Sequence, residues 1–236
     1  ALAGKTPTAA TVIRRERTWY AHIVVEDTDA VPIEGGGAMG IDLGIRNIVT
    51  ASTGMKIDGA NRQAFKAERA RIRASLQSKG TRGAKRVLKR LSGYEHRRIR
   101  HENHVLAKAI VAEAKNAHCG VIRMEELKGI RARTKIRSKH LNRMIGGWSF
   151  GQLQDFIAYK ATRAGIAIEK VPAAYTSQTC HRCGERGERD RDVFHCATCG
   201  VIHADVNASF VIAAGGVSVT RPESTHCASL LSHSVV

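Results

Sequence analysis

Two close pairs of cysteines are the feature that most restricts how this chain can fold. Two residues separate Cys180 from Cys183, two separate Cys196 from Cys199, and 12 residues lie between the pairs. This is the spacing of a four-thiolate zinc ribbon, in which two knuckles complete a tetrahedron and leave no open coordination position. A redox CxxC motif is the alternative, but it does not explain a second pair at ribbon distance. We therefore predict a structural zinc ion on these four cysteines.

Three acidic residues stand next to predicted strands or helices. Asp42 lies inside an apolar strand pattern, Glu125 follows another, and Asp205 comes six residues after the last cysteine, just before a helical pattern. A single acid is usually a solvated turn residue or a helix cap. Asp42 is different, because burying an unpartnered carboxylate in an apolar strand costs several kcal/mol. If the three converge, they can hold the hard divalent ions that activate water in a nuclease.

The charge of the chain predicts a polyanionic partner. It has 38 Lys and Arg against 21 Asp and Glu, a net charge of +17, and the segment from Arg62 to Arg100 alone holds 14 basic and two acidic residues. Nucleic acid is the usual partner of such a field, although a basic surface that binds nothing is an alternative. We expect phosphate contacts from seven side chains: Lys85, Arg86, Lys89, Arg90, Arg97, Arg98 and Arg182.

Length and composition bound the remaining classes. The 236 residues suit one main domain with attachments, and no segment has the roughly 18 to 20 uninterrupted apolar residues of a membrane span. Cys119 and Cys227 have no evident partners, which is typical of a reducing compartment rather than a disulfide framework. The N-terminus has no signal-peptide pattern and no Met. We expect a soluble, cytoplasmic protein that could be the trimmed end of a longer chain.

The apolar pattern predicts alternating strands and helices. Residues 17–26 carry the one clear strand pattern of the first 38 residues. Further strands are predicted at 38–44, 45–52, 55–58, 119–124 and 166–171. Helices are predicted within 61–115, broken at 79–83, and at 148–163 and 207–214, with a basic loop at 128–147. This order indicates an α/β protein.

Four motifs together resemble the C-terminal half of the TnpB family. They are Gly40-Ile41-Asp42-Leu43-Gly44, Met124-Glu125-Glu126-Leu127, Thr176-Ser177-Gln178-Thr179-Cys180 with the paired cysteines, and Asp205-Val206-Asn207-Ala208. They occur in the family's order over residues 17–214, and the part from Trp148 to Asn207 is the most specific. TnpB proteins are transposon-encoded, RNA-guided nucleases related to the compact type V CRISPR effectors.

The resemblance implies a fold and a site. The implied fold is α/β, an RNase H-like (RuvC-like) mixed sheet with a long helical insertion and an inserted four-cysteine zinc ribbon. The implied catalytic triad is Asp42, Glu125 and Asp205, which would bind Mg²⁺ or Mn²⁺. Glu125 is preferred to Glu126 because the family places its catalytic acid first in that run. The implied activity is RNA-guided cleavage of DNA, with guide RNA and target DNA as partners and neither a membrane nor a small-molecule cofactor.

The resemblance also implies an organisation into parts. Residues 1–37 would be the remnant of an N-terminal β (wedge) domain, and 38–175 the nuclease domain with a basic helical hairpin at about 61–117. The zinc ribbon would occupy 176–200, the last nuclease motif and helix 201–215, and a flexible tail 216–236.

Two departures from the family pattern leave other functions open. His203 stands where the family often has a further acid, which predicts altered metal affinity or pH dependence. The family's N-terminal recognition lobe and most of its wedge barrel are expected to be absent. One alternative is therefore a module that binds nucleic acid without cleaving it, although no triad carboxylate is lost. The other is a guide-independent nuclease of the Holliday-junction-resolvase type, which needs neither the ribbon nor the long basic helices.

Overall fold

The computed structural model describes residues 6–26, 30–127 and 149–216. These residues fall into two units, Ala1–Val31 and Pro32–Val236. The predicted basic loop at 128–147 and all of the predicted tail except residue 216 lie outside the described residues. Within the described part of the chain, no helix has the length and apolar character needed to cross a membrane.

The first unit is a β-hairpin, where the sequence pattern predicted a single strand. Strand β1 (Pro7–Arg15) pairs antiparallel with β2 (Thr18–Val25), and Arg15 lies opposite Thr18 across a turn in which Glu16 has a φ of 57°. The prediction of one strand was wrong because β1 begins with Pro and contains two alanines, which dilute the β-propensity of its Thr-Val-Ile centre.

A five-stranded mixed sheet forms the centre of the second unit. Its order is β5-β4-β3-β6-β7, with antiparallel pairing between β5, β4 and β3 and parallel pairing between β3, β6 and β7. All five predicted strands are present within a few residues of their expected bounds. They are β3 (Gly37–Asp42), β4 (Asn47–Ala51), β5 (Lys56–Asp58), β6 (Cys119–Glu125) and β7 (Ala167–Val171).

Two long helices connect β5 to β6, as the pattern predicted. Helix α1 (Ala60–Lys79) ends at Gly80, whose φ of 63° is the left-handed conformation that glycine adopts without strain. Helix α2 (Arg82–Asn116) begins after Thr81, whose hydroxyl accepts a hydrogen bond from the Ala84 backbone N–H. The buried α2 residues recur at helical spacing near its C-terminal end, and they are Leu106, Ala107, Ile110, Val111 and Ala114.

Two shorter helices cover opposite faces of the sheet. Helix α3 (Phe150–Thr162) packs with α2 on the face formed by Met39 and Ile41. Helix α4 (Ala204–Ala213) lies on the other face of the sheet. Gly40 belongs to that face, because it lies between Met39 and Ile41 and successive strand residues alternate between faces. A Cβ on Gly40 would lie 2.0 Å from the backbone oxygen of Ser209, so only glycine lets α4 approach this closely.

Helix α4 begins three residues before its predicted start at Asn207. Its first residues follow directly from strand β10 (Gly200–His203), because His203 is still extended while Ala204 is already helical. Asp205 therefore lies in the first turn of the helix, where the sequence had placed it just outside.

The cysteine segment forms a small antiparallel sheet of three strands in the order β10-β9-β8. Phe194 is fully buried at its centre and packs with Cys180, Cys196 and Ala204. The strands are β8 (Glu188–Asp190), β9 (Val193–Cys196) and β10 (Gly200–His203).

Candidate functional site

The carboxylates of Asp42 and Glu125 come together because of the register of two parallel strands. Strand β3 pairs with β6 so that Ile41 lies opposite Met124, and both strands end at the next residue. Ile41 and Met124 point into the core, so Asp42 and Glu125 point to the other face, which carries α4. The two acids are therefore neighbours at the carboxyl end of adjacent parallel strands.

Helix α4 brings the third predicted acid to the same place. Asp205 is buried, with 7% of its surface exposed, and its Oδ2 accepts a hydrogen bond of 2.7 Å from the side-chain amide of Asn47 on β4. Its Oδ1 accepts a hydrogen bond of 2.6 Å from Arg189 on β8. Asp205 also acts on Asp42 electrostatically, so the three predicted acids form one group.

Negative charges lie close together in this group of acids, and the pKa values of two of them are raised. Burial, followed by the charges of Glu125 and Asp205, raises the pKa of Asp42 from 3.8 to about 7. Burial also raises the pKa of Glu125, against the opposing effects of a hydrogen bond from Thr176 and of the Arg189 cation. Carboxylates in this state gain from a cation that neutralises them, and oxygen donors are the preferred ligands of magnesium and manganese.

Two polar side chains hold Glu125. The hydroxyl of Thr176 donates to its Oε1, and the amide of Gln154 on α3 donates to its backbone oxygen over 2.8 Å. The next residue, Glu126, continues the chain along β7, and its backbone N–H donates to the oxygen of Val171 over 2.8 Å. Of the two glutamates, Glu125 is the one that lies with the other acids.

Arg189 is the cation that the structure places among the carboxylates. Besides its ion pair with Asp205, it lowers the pKa of both Asp42 and Glu125. Its Nε donates to the backbone oxygen of Arg191, which orients the side chain. The cysteine-containing segment therefore contributes directly to the acidic site. It also borders a cavity of about 680 Å³, lined by Ser177, Gln178, Gly187, Glu188, Arg189 and Arg191.

The four paired cysteines converge as their spacing predicted. The Sγ atoms of Cys180, Cys183, Cys196 and Cys199 lie within 4.8 Å of one another. Sulfur atoms around a tetrahedral zinc ion, with Zn–S bonds of about 2.3 Å, stand ~3.8 Å apart. The backbone N–H of Cys199 donates to the Cys196 sulfur over 3.4 Å, and such a contact stabilises a thiolate. The donor set fits structural zinc. Among the described residues, it is the one group of three or more potential ligands this close together.

One asparagine joins the cysteine segment to the helix that carries Asp205. Asn207 is fully buried, its amide donates to the backbone oxygen of Thr179 over 2.7 Å, and its Oδ1 accepts from the backbone N–H of His181 over 2.9 Å. His181 also stacks on Phe210 of the same helix, with ring centroids 4.9 Å apart. The ribbon is thereby fixed to α4 next to the acids.

All seven predicted phosphate contacts are exposed. Six of them lie on exposed positions of α2 before its core segment, and Arg182 is exposed in the first cysteine knuckle. They are therefore accessible to a polyanion. The α2 positions are Lys85, Arg86, Lys89, Arg90, Arg97 and Arg98.

Sequence reasoning did not assign several residues that contact the acids. Arg189, Asn47 and Gln154 were not among the predicted site residues. Each lies on a separate element, so no local pattern connects it to an acid. Thr176 is the exception, because it opens the Thr-Ser-Gln-Thr-Cys motif and could have been singled out there.

Two family models match most of the chain. The model described as "Cas12f1-like, TNB domain" matches residues 150–212, and OrfB_IS605, described as "Probable transposase", matches residues 22–131. The first covers α3, β7, the cysteine segment and nearly all of α4, and the second covers β3 to β6 and the long helices.

Curated relatives are similar over much of this chain. The CRISPR-associated endodeoxyribonuclease Cas12f1 of Sulfoacidibacillus thermotolerans is 31% identical over 231 residues, covering 89% of this chain and 53% of the relative. The TnpB-like protein MJ0751 of Methanocaldococcus jannaschii is 31% identical over 151 residues, covering 62% of this chain and 52% of the relative. The chain thus spans about half the length of these relatives.

Solved structures share the fold. A Cas12f1–sgRNA–target DNA complex matches with a TM-score of 0.60 and 21% identity over 86% of this chain and 55% of that one. A CRISPR-Cas12f ternary complex matches with a TM-score of 0.64 and 21% identity over 89% of this chain and 46% of that one. The predicted α/β fold with a mixed sheet and a four-cysteine ribbon is confirmed.

Proposed function

This chain belongs to the TnpB family, and we propose on that premise that it provides the nuclease part of a transposon-associated, RNA-guided DNA endonuclease. The observation that carries the proposal is the convergence of three carboxylates from β3, β6 and α4 at one sheet edge. Relatives named endodeoxyribonuclease or putative RNA-guided DNA endonuclease support the same activity.

Asp42, Glu125 and Asp205 are the residues that would hold divalent cations. Such ions supply a hydroxide from bound water and stabilise the leaving oxygen of a phosphodiester. The fit rests on the chemistry of the donors, which are oxygen ligands in a partly buried group with excess negative charge. Asn47 and Thr176 orient the carboxylates of Asp205 and Glu125, and Arg189 compensates part of their charge before a substrate phosphate arrives.

The four cysteines would hold a structural zinc ion that does not take part in the reaction. Four thiolates fill a tetrahedral coordination sphere and leave no position for water or substrate. The ribbon's own contribution is to hold Arg189 at Asp205 and to stay attached to α4 through Asn207. The guide RNA and the target DNA would contact the basic positions of α2 and the exposed Arg182.

The test compares two adjacent glutamates. The chain is purified with the RNA that it retains from cells carrying its native flanking DNA, and cleavage of a matching plasmid is measured with magnesium. Glu125→Gln should reduce cleavage more than roughly 100-fold, because it removes a negative ligand from the metal site. Glu126→Gln should cleave as the unaltered chain does. Asp205→Ala should also abolish cleavage while leaving RNA affinity within about threefold.

Three results would contradict the proposal in different ways. Cleavage that survives Glu125→Gln and Asp205→Ala would show that the triad is assigned wrongly. RNA binding without cleavage under any divalent cation would favour the binding module. Cleavage that needs no RNA would favour the guide-independent nuclease.

A further inference from the structure

The N-terminal half of α2 forms a groove with α1 away from the main core. Among the described residues, the side chains that α2 contributes to that core begin at Leu106. The groove has a volume of about 410 Å³. It is lined by Arg69 of α1 and by Val87, Arg90, Leu91 and Tyr94 of α2.

A stack of rings and guanidinium groups holds one wall of this groove in place. The Arg69 guanidinium lies 5.2 Å from the ring centroid of Phe65 and 5.4 Å from that of Tyr94. The two rings are 6.2 Å apart and tilted by 58°, and Arg98 covers Phe65 at 4.4 Å. Phe65 is buried, whereas Tyr94 is 44% exposed. The Tyr94 ring is therefore supported from inside and open to a ligand from outside.

The lining of the groove matches the base and the phosphate of a nucleotide. Val87, Leu91 and the Tyr94 ring offer apolar and aromatic surface, and Arg69 and Arg90 add positive charge at its edge. No acidic residue lines the groove in the part of the chain that the structure describes, although Glu68 lies 3.8 Å from Arg69. Bases stack on exposed aromatic rings, and arginine binds the adjoining phosphates.

We propose that this groove binds an unpaired segment of the guide RNA, with a base stacked on Tyr94 and a phosphate at Arg90. The inference rests on the proposed function. The face of the Tyr94 ring can stack only on a base that is not already stacked and paired within a duplex, and unpaired RNA is recognised by stacking of this kind.

The first experiment measures stacking with defined probes. Fluorescein-labelled oligoadenylate RNA, about 12 nucleotides long, is titrated against the full chain, with an RNA duplex of equal length beside it. Tyr94→Leu should weaken single-strand binding about tenfold and leave duplex binding within about twofold, while Tyr94→Phe retains both. Arg90→Gln should reduce the slope of log affinity against log salt by about 0.7. The matched control is Tyr159→Leu, which removes a tyrosine that is 41% exposed on α3.

The second experiment identifies the strand and needs no variant. The chain is isolated from cells grown with 4-thiouridine, combined with target DNA and irradiated, and cross-linked peptides are mapped. A cross-link from RNA to the peptide containing Tyr94 is the expected result. A cross-link to thiothymidine-substituted DNA at that peptide would overturn the proposal, as would equal losses of single-strand and duplex binding in Tyr94→Leu. The groove and the active site fail separately, since Glu125→Gln should lose cleavage and keep the oligoadenylate affinity of the unaltered chain, whereas Tyr94→Leu should lose that affinity.

Discussion

The cysteine ribbon and the carboxylate edge, formed by Asp42, Glu125 and Asp205, are both clusters of potential cation ligands, but they are assembled in opposite ways. The four cysteines lie within 20 residues of sequence and converge to within 4.8 Å. The acids span 164 positions from Asp42 to Asp205 and come from two strands and a helix. Soft thiolates close a sphere around one ion, whereas the acids keep excess charge, which Arg189 neutralises in part. The geometry of the cysteine cluster therefore depends on one short segment, whereas the geometry of the three acids depends on the packing of the central sheet and α4.

The largest expected effect comes from removing a zinc ligand. Cys196→Ser should lose the bound zinc and unfold the ribbon, because zinc in such sites contributes about 10 to 16 kcal/mol of apparent binding free energy. Zinc content by mass spectrometry and the thermal unfolding curve would measure both. Cys119→Ser is the matched control, since Cys119 is a buried thiol in β6 outside the cluster. Full zinc content in Cys196→Ser would show that the four cysteines do not form one zinc site, and the comparison with the acids would fail.

The next largest effect tests the uncompensated charge at the acids. Because the folded pKa of Asp42 is raised to about 7, the folded chain keeps a proton that the unfolded chain releases above pH 3.8. The contribution of Asp42 to stability should therefore fall as pH rises from about 4 to about 7, by an amount on the order of 4 kcal/mol. Asp42→Asn should remove this contribution, whereas Glu125, whose pKa is also raised, should keep its own. Urea unfolding of the zinc-loaded chain without magnesium would measure it.

The control for that experiment is Asp58→Asn. Asp58 accepts a hydrogen bond from the backbone N–H of Ala60 at the start of α1, and asparagine can accept it too. This variant should keep the pH dependence of the unaltered chain. A pH profile in Asp42→Asn that matched the unaltered chain would show that the acids are not crowded.

A smaller effect concerns the attachment between the two regions. Asn207→Ala leaves the oxygen of Thr179 and the N–H of His181 without their partner, which should cost about 2 kcal/mol. Amide hydrogen exchange should become faster in the ribbon, while zinc content stays at one ion per chain. Asn207→Asp keeps the acceptor but buries a carboxylate whose second oxygen faces the oxygen of Thr179, so its effect should be at least as large. Unchanged exchange in both variants would mean that the ribbon is held elsewhere.

The smallest effect concerns the cation that the ribbon supplies to the acids. Arg189→Gln should destabilise the magnesium-free chain by about 1 kcal/mol, since its pair with Asp205 is partly exposed. Added magnesium should stabilise this variant more than the unaltered chain, because both cations neutralise the same carboxylates. Thermal unfolding across a magnesium titration measures the difference. Arg191→Gln, a neighbouring exposed arginine, should respond as the unaltered chain does.

The sequence predicted the elements of the central sheet and the break between the long helices. Those predictions succeed because a buried strand such as β4 and a helix stop at Gly80 each leave a local pattern. It missed β1, whose pattern is diluted, and placed the start of α4 too late. In α4 the buried residues include the polar Asp205, Asn207 and Ser209, so no clear amphipathic pattern marks the helix, and an extended residue precedes it directly. Helix and strand ends are decided by such neighbours, so local patterns locate them poorly.

For the site, the sequence by itself determined that the four cysteines converge, and it named the three acids. The cysteine spacing suffices because knuckle ligands only two residues apart must be close in space. Only the tertiary structure decided that Ile41 lies opposite Met124, which makes Asp42 and Glu125 neighbours. It also decided that Arg189 reaches Asp205. Strand register and the docking of a ribbon against a helix depend on contacts across the whole chain, and no local pattern encodes them.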